Sequence, residues 1–224
     1  MELNVLIWGG KSQSLILSQM IKKKEVYFFK KKIYYIKKSY IYDDKLEKLN
    51  FKSDIKFLNN KKDLTKILRK KSVNAFIVGI GGDNGKLRYE ISRKLIKKKL
   101  KPFSCISTSS YIDSTCELGV GIQIMPNSTI HCFTKIGDFS IINTSSSIDH
   151  ECKIGKGVHI MPGASIAGRV KIGDFATIGT NATVLPDINI DAGAYVGAGA
   201  VVTKNVKKNQ IVVGNPARFI KKKL

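Results

Sequence analysis

From Ile106 to Val202 an aliphatic residue falls at every sixth position without a break: Ile106, Ile112, Leu118, Ile124 and so on to Ile190, Val196 and Val202. Four positions after most of them comes a small residue, among them Cys116, Ser128, Ser140, Ser146, Cys152, Ala164, Ala176, Ala182, Ala194 and Ala200. A six-residue repeat of this kind is the signature of a parallel β-helix. Each hexad supplies one short flat side, and three hexads close a triangular coil. The aliphatic residue points into the narrow interior, where only small neighbours fit. Seventeen hexads make nearly six coils, stacked at roughly 4.8 Å per turn. A longer echo supports the register: Met125-Pro126-Asn127 through Asp138-Phe139 returns two coils later as Met161-Pro162-Gly163 through Asp174-Phe175.

The first hundred residues follow a different pattern. An apolar strand, "LNVLIW", runs into a Gly/Ser turn and then a predicted helix from Ser14 to about Lys23. A second strand is predicted over Lys32–Tyr42, ending at Asp43-Asp44. A buried strand over Val73–Gly82 ends in glycines and is followed by a helix over Lys86–Lys99. Strand, glycine turn and helix in series imply a small parallel α/β sheet of Rossmann type. The expected division is therefore residues 1–103 as a Rossmann-like domain and 104–224 as the β-helix with its C-terminal tail. Gly9-Gly10-Lys11-Ser12 is a weak phosphate-loop signal, equally consistent with a plain tight turn.

Charge narrows the partners. The net charge is +22, and 27 of the 39 Lys+Arg lie in residues 1–101, mostly as short lysine runs such as Lys22-Lys23-Lys24, Lys30-Lys31-Lys32 and Lys97-Lys98-Lys99. Arginine is scarce and no nucleic-acid motif accompanies the lysines, so a solvated basic surface is expected rather than nucleic-acid binding. Such a surface would also attract anionic phosphate compounds. No run of residues approaches a membrane span. Met1-Glu2-Leu3 leads straight into a strand-like run with no secretory signal, and the four cysteines form no C-x-x-C pair. Reduced thiols and a cytoplasmic location are the expectation.

The stretch "SIDHECKIGKGVHIMPGASIAGRVKIG" holds two of the three histidines. Residues one coil apart lie one above the other, which puts Gly168 directly above His150 and Cys132 below it. His150 follows interior Ile148 by two places, near a corner, where a side chain projects outward. An imidazole base beside an unobstructed backbone N–H suits acyl transfer: the base takes a proton from the nucleophile and the N–H steadies the oxyanion. Glu151 or Asp149 could orient the ring and stabilise the imidazolium. His159 is a candidate second active-site group, and His131 reads as a surface residue. Separations of 19 and 9 residues do not bring three imidazoles onto one ion, so no metal site is expected.

The run "SSSIDHECKIGKGVHIMPGASIAGRVKIGDFATIGTNATVLP" and the ending "VGAGAVVTKNVKKNQIVVGNPAR" closely resemble sugar acyltransferases of the NeuD/PglD type. The resemblance is specific in the β-helix and loose in the first hundred residues. It implies a Rossmann-like domain joined to a left-handed β-helix, a homotrimer, and acetyl-CoA lying between neighbouring helices. It further implies that His150 is the catalytic base with Glu151 as its acid, that His159, the second histidine, contacts the cofactor, and that the Gly168 amide faces the acetyl carbonyl. The CoA-lining positions would include Ala167, Thr180, Ala198, Lys204, Pro216 and Arg218. In the first domain it implies substrate contacts from Gly9, Gly10 and Ser12, from Asp43 and Asp44, and from Gly79 and Gly81. Gln13 stands where many members of the family carry a histidine, so anchoring of the acceptor is expected to differ.

The expectation is an acetyl-CoA-dependent N-acetyltransferase acting on a nucleotide-linked amino sugar, a 4-amino-4,6-dideoxy sugar, by direct transfer. O-acetylation of a sialic-acid-like sugar is the rival on the same fold. A non-enzymatic β-helix binding module is the rival from another class.

Overall fold

The computed structural model of the protein describes residues 2–22 and 35–223. The first domain is a five-stranded parallel sheet in the order β3-β2-β1-β4-β5. Its strands are β1 (Glu2–Trp8), β2 (Tyr35–Tyr42), β3 (Lys56–Leu58), β4 (Ala75–Val78) and β5 (Lys101–Pro102). Alternation along β1 divides its apolar residues between two layers. Val5 and Ile7 meet Leu17, Met20 and Ile21 of α1 (Ser12–Lys22) on one face. Leu6 meets Leu64 of α2 (Lys61–Arg69) and Leu95 of α3 (Gly85–Lys97) on the other.

The predicted boundaries shift by a few residues. Helix α1 begins two residues early, because the Lys11 carbonyl accepts from Ser14 N at 2.9 Å and from Leu15 N at 3.2 Å. The third predicted strand stops at Val78, since Gly79–Gly82 turn out of the sheet. Strand β3 and helix α2 were not foreseen; the signal was the Asn60 N-cap, whose side chain accepts from Asp63 N at 2.9 Å. Lys23, Lys24, the 30–32 lysine run and the first residues of the second predicted strand, 32–34, lie outside the described residues.

From β6 (Cys105–Ile106) to β22 (Val201–Val202) the chain makes two-residue strands that stack in three parallel sheets. These are the three faces of the prism. Each residue pairs with the one a full coil away: Ile141 with His159 on the first face, Thr129 with Ser147 on the second, Lys135 with Lys153 on the third. The hexad isoleucines and valines fill the interior with Ala164, Ala176, Ala182, Ala194 and Ala200 between them. Only Ile112 and Leu118, near the first coil, are partly buried. From Gly121 to Gly199 every sixth residue has a left-handed φ, and nine of those positions hold side chains, including Phe133, Glu151, Arg169 and Asp187. Isolated, each would cost roughly 1–2 kcal/mol; the stacked coils impose the conformation. The chain closes with a hairpin, β23 (Gln210–Val213) and β24 (Arg218–Lys222), added to the first face.

The outward columns of the three faces differ. On the first face Gln123, Ile141, His159 and Thr177 are buried, covered by the α/β domain. The second face presents Thr129, Ser147, Ser165 and Thr183, and the third Lys135, Lys153 and Lys171. The two domains are fastened by Arg88 of α3, which is fully buried. Its guanidinium donates to the carbonyls of Phe139 (2.7 Å), Ile80 (2.9 Å), Gly157 (3.0 Å) and Val158 (3.3 Å). Among the described residues no carboxylate joins it, and burial lowers its pKa to about 9.

Candidate active site

His150 occupies the corner between the second and third faces. Its Nδ1 lies 2.9 Å from Glu151 Oε2. A carboxylate accepts only, so Nδ1 carries the proton, and in the neutral ring Nε2 carries the lone pair. Asp149 makes a different contact: its Oδ1 accepts from the backbone N–H of His150 at 2.8 Å. Of the two flanking acids, Glu151 therefore orients the ring. Gly168 lies one coil above, and a Cβ placed there would come within 2.6 Å of His150 Nε2. The imidazole packs where a side chain would have been. The proton-accepting nitrogen and a backbone amide thus share one corner, with the ring 38% exposed.

The nearest thiols are not set up as nucleophiles. Cys152 points inward and donates to Ala167 O at 3.2 Å, and burial raises its pKa to about 11. Cys132 lies in the coil below. His131 is exposed, its ring 5.9 Å from that of Tyr111. No group of three or more His, Cys, Asp or Glu among the described residues could hold a metal ion.

A second feature lies between the domains: a cavity of about 480 Å³. Gly9, Gly10, Ser12, Gln13, Asp43, Gly79 and Gly81 line it together with Lys11 and Gly82. The glycine turn opens at the N-terminus of α1, the arrangement that receives phosphate groups elsewhere. Gly9 has φ +117° there, and a Cβ on it would meet Gly79 O at 2.7 Å. Asp43 spends its carboxylate on the turn itself, accepting from Gly10 N at 2.9 Å and Lys45 N at 3.0 Å. Asp44 is not among the lining residues; it pairs with Lys61 at 3.9 Å and sits beside the Tyr42 hydroxyl. Gln13, 8% exposed, donates to Gln123 Oε1 at 2.8 Å, and Gln123 in turn donates to Val78 O at 2.8 Å.

His159 joins this cavity. It stands on the first face, half a coil from His150, with its Nδ1 2.9 Å from Gly82 O and its Nε2 3.0 Å from the Asn143 side-chain amide. Burial pushes its pKa down to about 4, which keeps the ring neutral. Asn143, Gln123 and Arg88 went unnoticed in the sequence. The one available signal was the first-face column, where Gln123 and His159 interrupt residues otherwise suited to burial.

The positions expected to line CoA flank the second face. Ala167 and Gly168 lie at one edge, and Thr180 with Ala198 directly above it at the other. Lys204, Pro216 and Arg218 are exposed toward the C-terminal end.

A family model of the bacterial transferase hexapeptide (six repeats) matches residues 151–186 and 169–204. No curated relative matches the chain. Among solved structures, the chain is similar over nearly its whole length to a His-to-Asn variant of perosamine N-acetyltransferase from Caulobacter crescentus, in complex with CoA and GDP-perosamine. There the TM-score is 0.84 at 24% identity, covering 97% of each chain. The acetyltransferase domain of PglB from Neisseria gonorrhoeae, in complex with acetyl coenzyme A, gives a TM-score of 0.84 at 20% identity over 98% of this chain and 100% of that one. WeeI from Acinetobacter baumannii gives 0.82 at 28% identity over 98% and 100%. The shared fold is a Rossmann-like domain on a left-handed parallel β-helix.

Proposed function

We propose that this chain, which carries the bacterial-transferase hexapeptide repeat, is an acetyl-CoA-dependent N-acetyltransferase of a nucleotide-linked amino sugar. The observation that carries the reading is the His150 corner: Glu151 holds Nδ1–H, and Nε2 lies against the Gly168 backbone. His150 takes a proton from the acceptor amine as the nitrogen attacks the acetyl carbonyl carbon. The Gly168 N–H offers a donor to the developing oxyanion, and CoA leaves as the thiol once protonated. Glu151 stabilises the imidazolium that forms. Transfer is direct, because Cys152 is turned inward and held as a thiol.

The cavity at the glycine turn suits the nucleotide diphosphate of the acceptor, with the α1 N-terminus and Lys11 beside the phosphates. The complexes of the perosamine enzyme with CoA and GDP-perosamine support this substrate class. Within one chain, however, cavity and base point apart: His150 stands at the corner opposite the first face, which carries the cavity. A second copy would bring its corner to the cavity, and the assembly that fits this reading is a homotrimer with CoA along the second face. Sedimentation showing a fully active monomer would refute that assembly.

The functional test is release of CoA thiol from acetyl-CoA with UDP-, GDP- and dTDP-linked 4-amino sugars. Turnover of at least one of them, lowered by roughly 10²–10⁴-fold in His150→Ala, is expected. Acetylation of a sugar hydroxyl, with the amino sugars neither reacting nor competing, would replace the reading with an O-acetyltransferase.

A further inference from the structure

We propose that Asp187 and Arg169 form a positioning pair that keeps Glu151 available to His150. The proposal rests on His150 being the base. Glu151, Arg169 and Asp187 hold the same corner position in three successive coils, with φ 59°, 60° and 62°. The coils are in register there: Arg169 N donates to His150 O at 2.9 Å and Asp187 N to Gly168 O at 3.1 Å. Their side chains leave the corner one above another, about 4.8 Å apart, in the charge order minus, plus, minus.

The middle guanidinium has a carboxylate above and another below. It takes the upper one: Nε and Nη2 of Arg169 donate to Oδ1 and Oδ2 of Asp187, both at 2.7 Å. This is the bidentate fork, the strongest pairing open to an arginine. Asp187's carboxyl is held below the ordinary range by its hydrogen bond to Arg169. The lower carboxylate, Glu151, is left to accept from His150 Nδ1. Without the Asp187 charge, Glu151 would be the nearest acceptor for Arg169, and a fork to the guanidinium outcompetes a single bond from a neutral imidazole.

The other ionisable groups around His150 do not compete for Glu151. Asp149 is held by the His150 N–H, Cys152 donates inward to Ala167 O, and Cys132 lies in the coil beneath. Arg169 and Asp187 touch no reacting atom; they act through Glu151.

The test is a double-mutant cycle read on the His150 imidazole by NMR titration of the full chain, without substrate. Asp187→Asn removes the charge and keeps the shape, and Asn tolerates the left-handed backbone. The His150 midpoint should fall, because the imidazolium loses its carboxylate partner. Glu151→Gln should lower it as well. In the Glu151→Gln background, adding Asp187→Asn should lower it by much less, because only the direct attraction between Asp187 and His150 is left to lose. Equal shifts in both backgrounds would mean that Asp187 acts on His150 directly through space, and would overturn the proposal. So would an unshifted midpoint in Asp187→Asn. No substrate enters the titration, so a chain with the expected cycle and no acetyl transfer would keep the pair and lose only the functional reading.

Discussion

Adding one methyl group at Gly168 should slow the reaction by at least about 10²-fold without harming the fold. A Cβ at that position would lie 2.6 Å from His150 Nε2, 2.7 Å from Cε1 and 3.2 Å from Cδ2. Ordinary carbon contacts begin near 3.5 Å, so the ring must retreat by about an ångström. It cannot retreat inward, because Ile148 and Ile166 fill the interior below the corner. It can swing outward, since the side chain is 38% exposed. That swing breaks the 2.9 Å contact with Glu151 and carries Nε2 away from the Gly168 amide. A displacement of about 1 Å in a catalytic group costs roughly 10²-fold, so Gly168→Ala should lower kcat by at least that factor. Gly168 has no left-handed φ. Replacing a glycine in ordinary backbone by alanine tends to stabilise by roughly 0.4–1 kcal/mol through the unfolded chain, so Tm should hold or rise slightly. Thiol-release kinetics beside a thermal melt decide the matter. A kcat within about threefold of wild type, in a variant where His150→Ala remains inactivating, would refute the claim that the ring must lie against this amide.

His150→Asn and His150→Ala should each lower kcat by roughly 10²–10⁴-fold, with Glu151→Gln costing less, as measured by steady-state thiol release. His159 should make stability pH-dependent. Its folded pKa of about 4 lies below the ordinary 6.5, so folding favours the neutral ring. Its contribution is full above pH 6.5 and is lost as the pH falls from there toward 4, on the order of 3 kcal/mol in all. Urea melts across that window should show the slope, and His159→Gln should flatten it. Arg88→Met should leave the carbonyls of Phe139, Ile80, Gly157 and Val158 without their shared donor. Destabilisation of at least ~3 kcal/mol is expected, read as a lower urea midpoint.

The β-helix was legible because its pattern is local and exact in period: interior residue, small neighbour and corner recur within six positions, with no need to know what lies far away. The stacking of His150 beneath Gly168 followed from the same arithmetic. Glu151 and Asp149 could not be separated in sequence, since only the side-chain directions show that one meets the ring and the other the backbone. The destination of His159 was hidden for a different reason. Its partners Gly82 and Asn143, and the Gln13–Gln123 bond beside them, exist only once the α/β domain has docked on the first face. Arg88 was invisible as a fastener because its acceptors are carbonyls, which every residue possesses. A hint did lie in the columns read one coil at a time: Gln123, Ile141 and His159 on one face, Lys135, Lys153 and Lys171 on another. A lysine column marks water, and a column that avoids lysine marks a covered face.

The unbroken run of left-handed corners from Gly121 to Gly199 turns chain length into angle. Six residues advance the polypeptide by a third of a revolution, whatever their identity, so a position in the sequence is also a compass bearing around the prism. The nine-residue separation of His150 and His159 sets the base and the cavity half a revolution apart. Losing or gaining one hexad in the coils after the docked domain would leave the interior equally well filled, yet it would rotate every later side chain onto a neighbouring face. The length of this domain can therefore drift during descent only by whole revolutions. Fractional changes would keep a folded rod and point its chemistry at the wrong horizon.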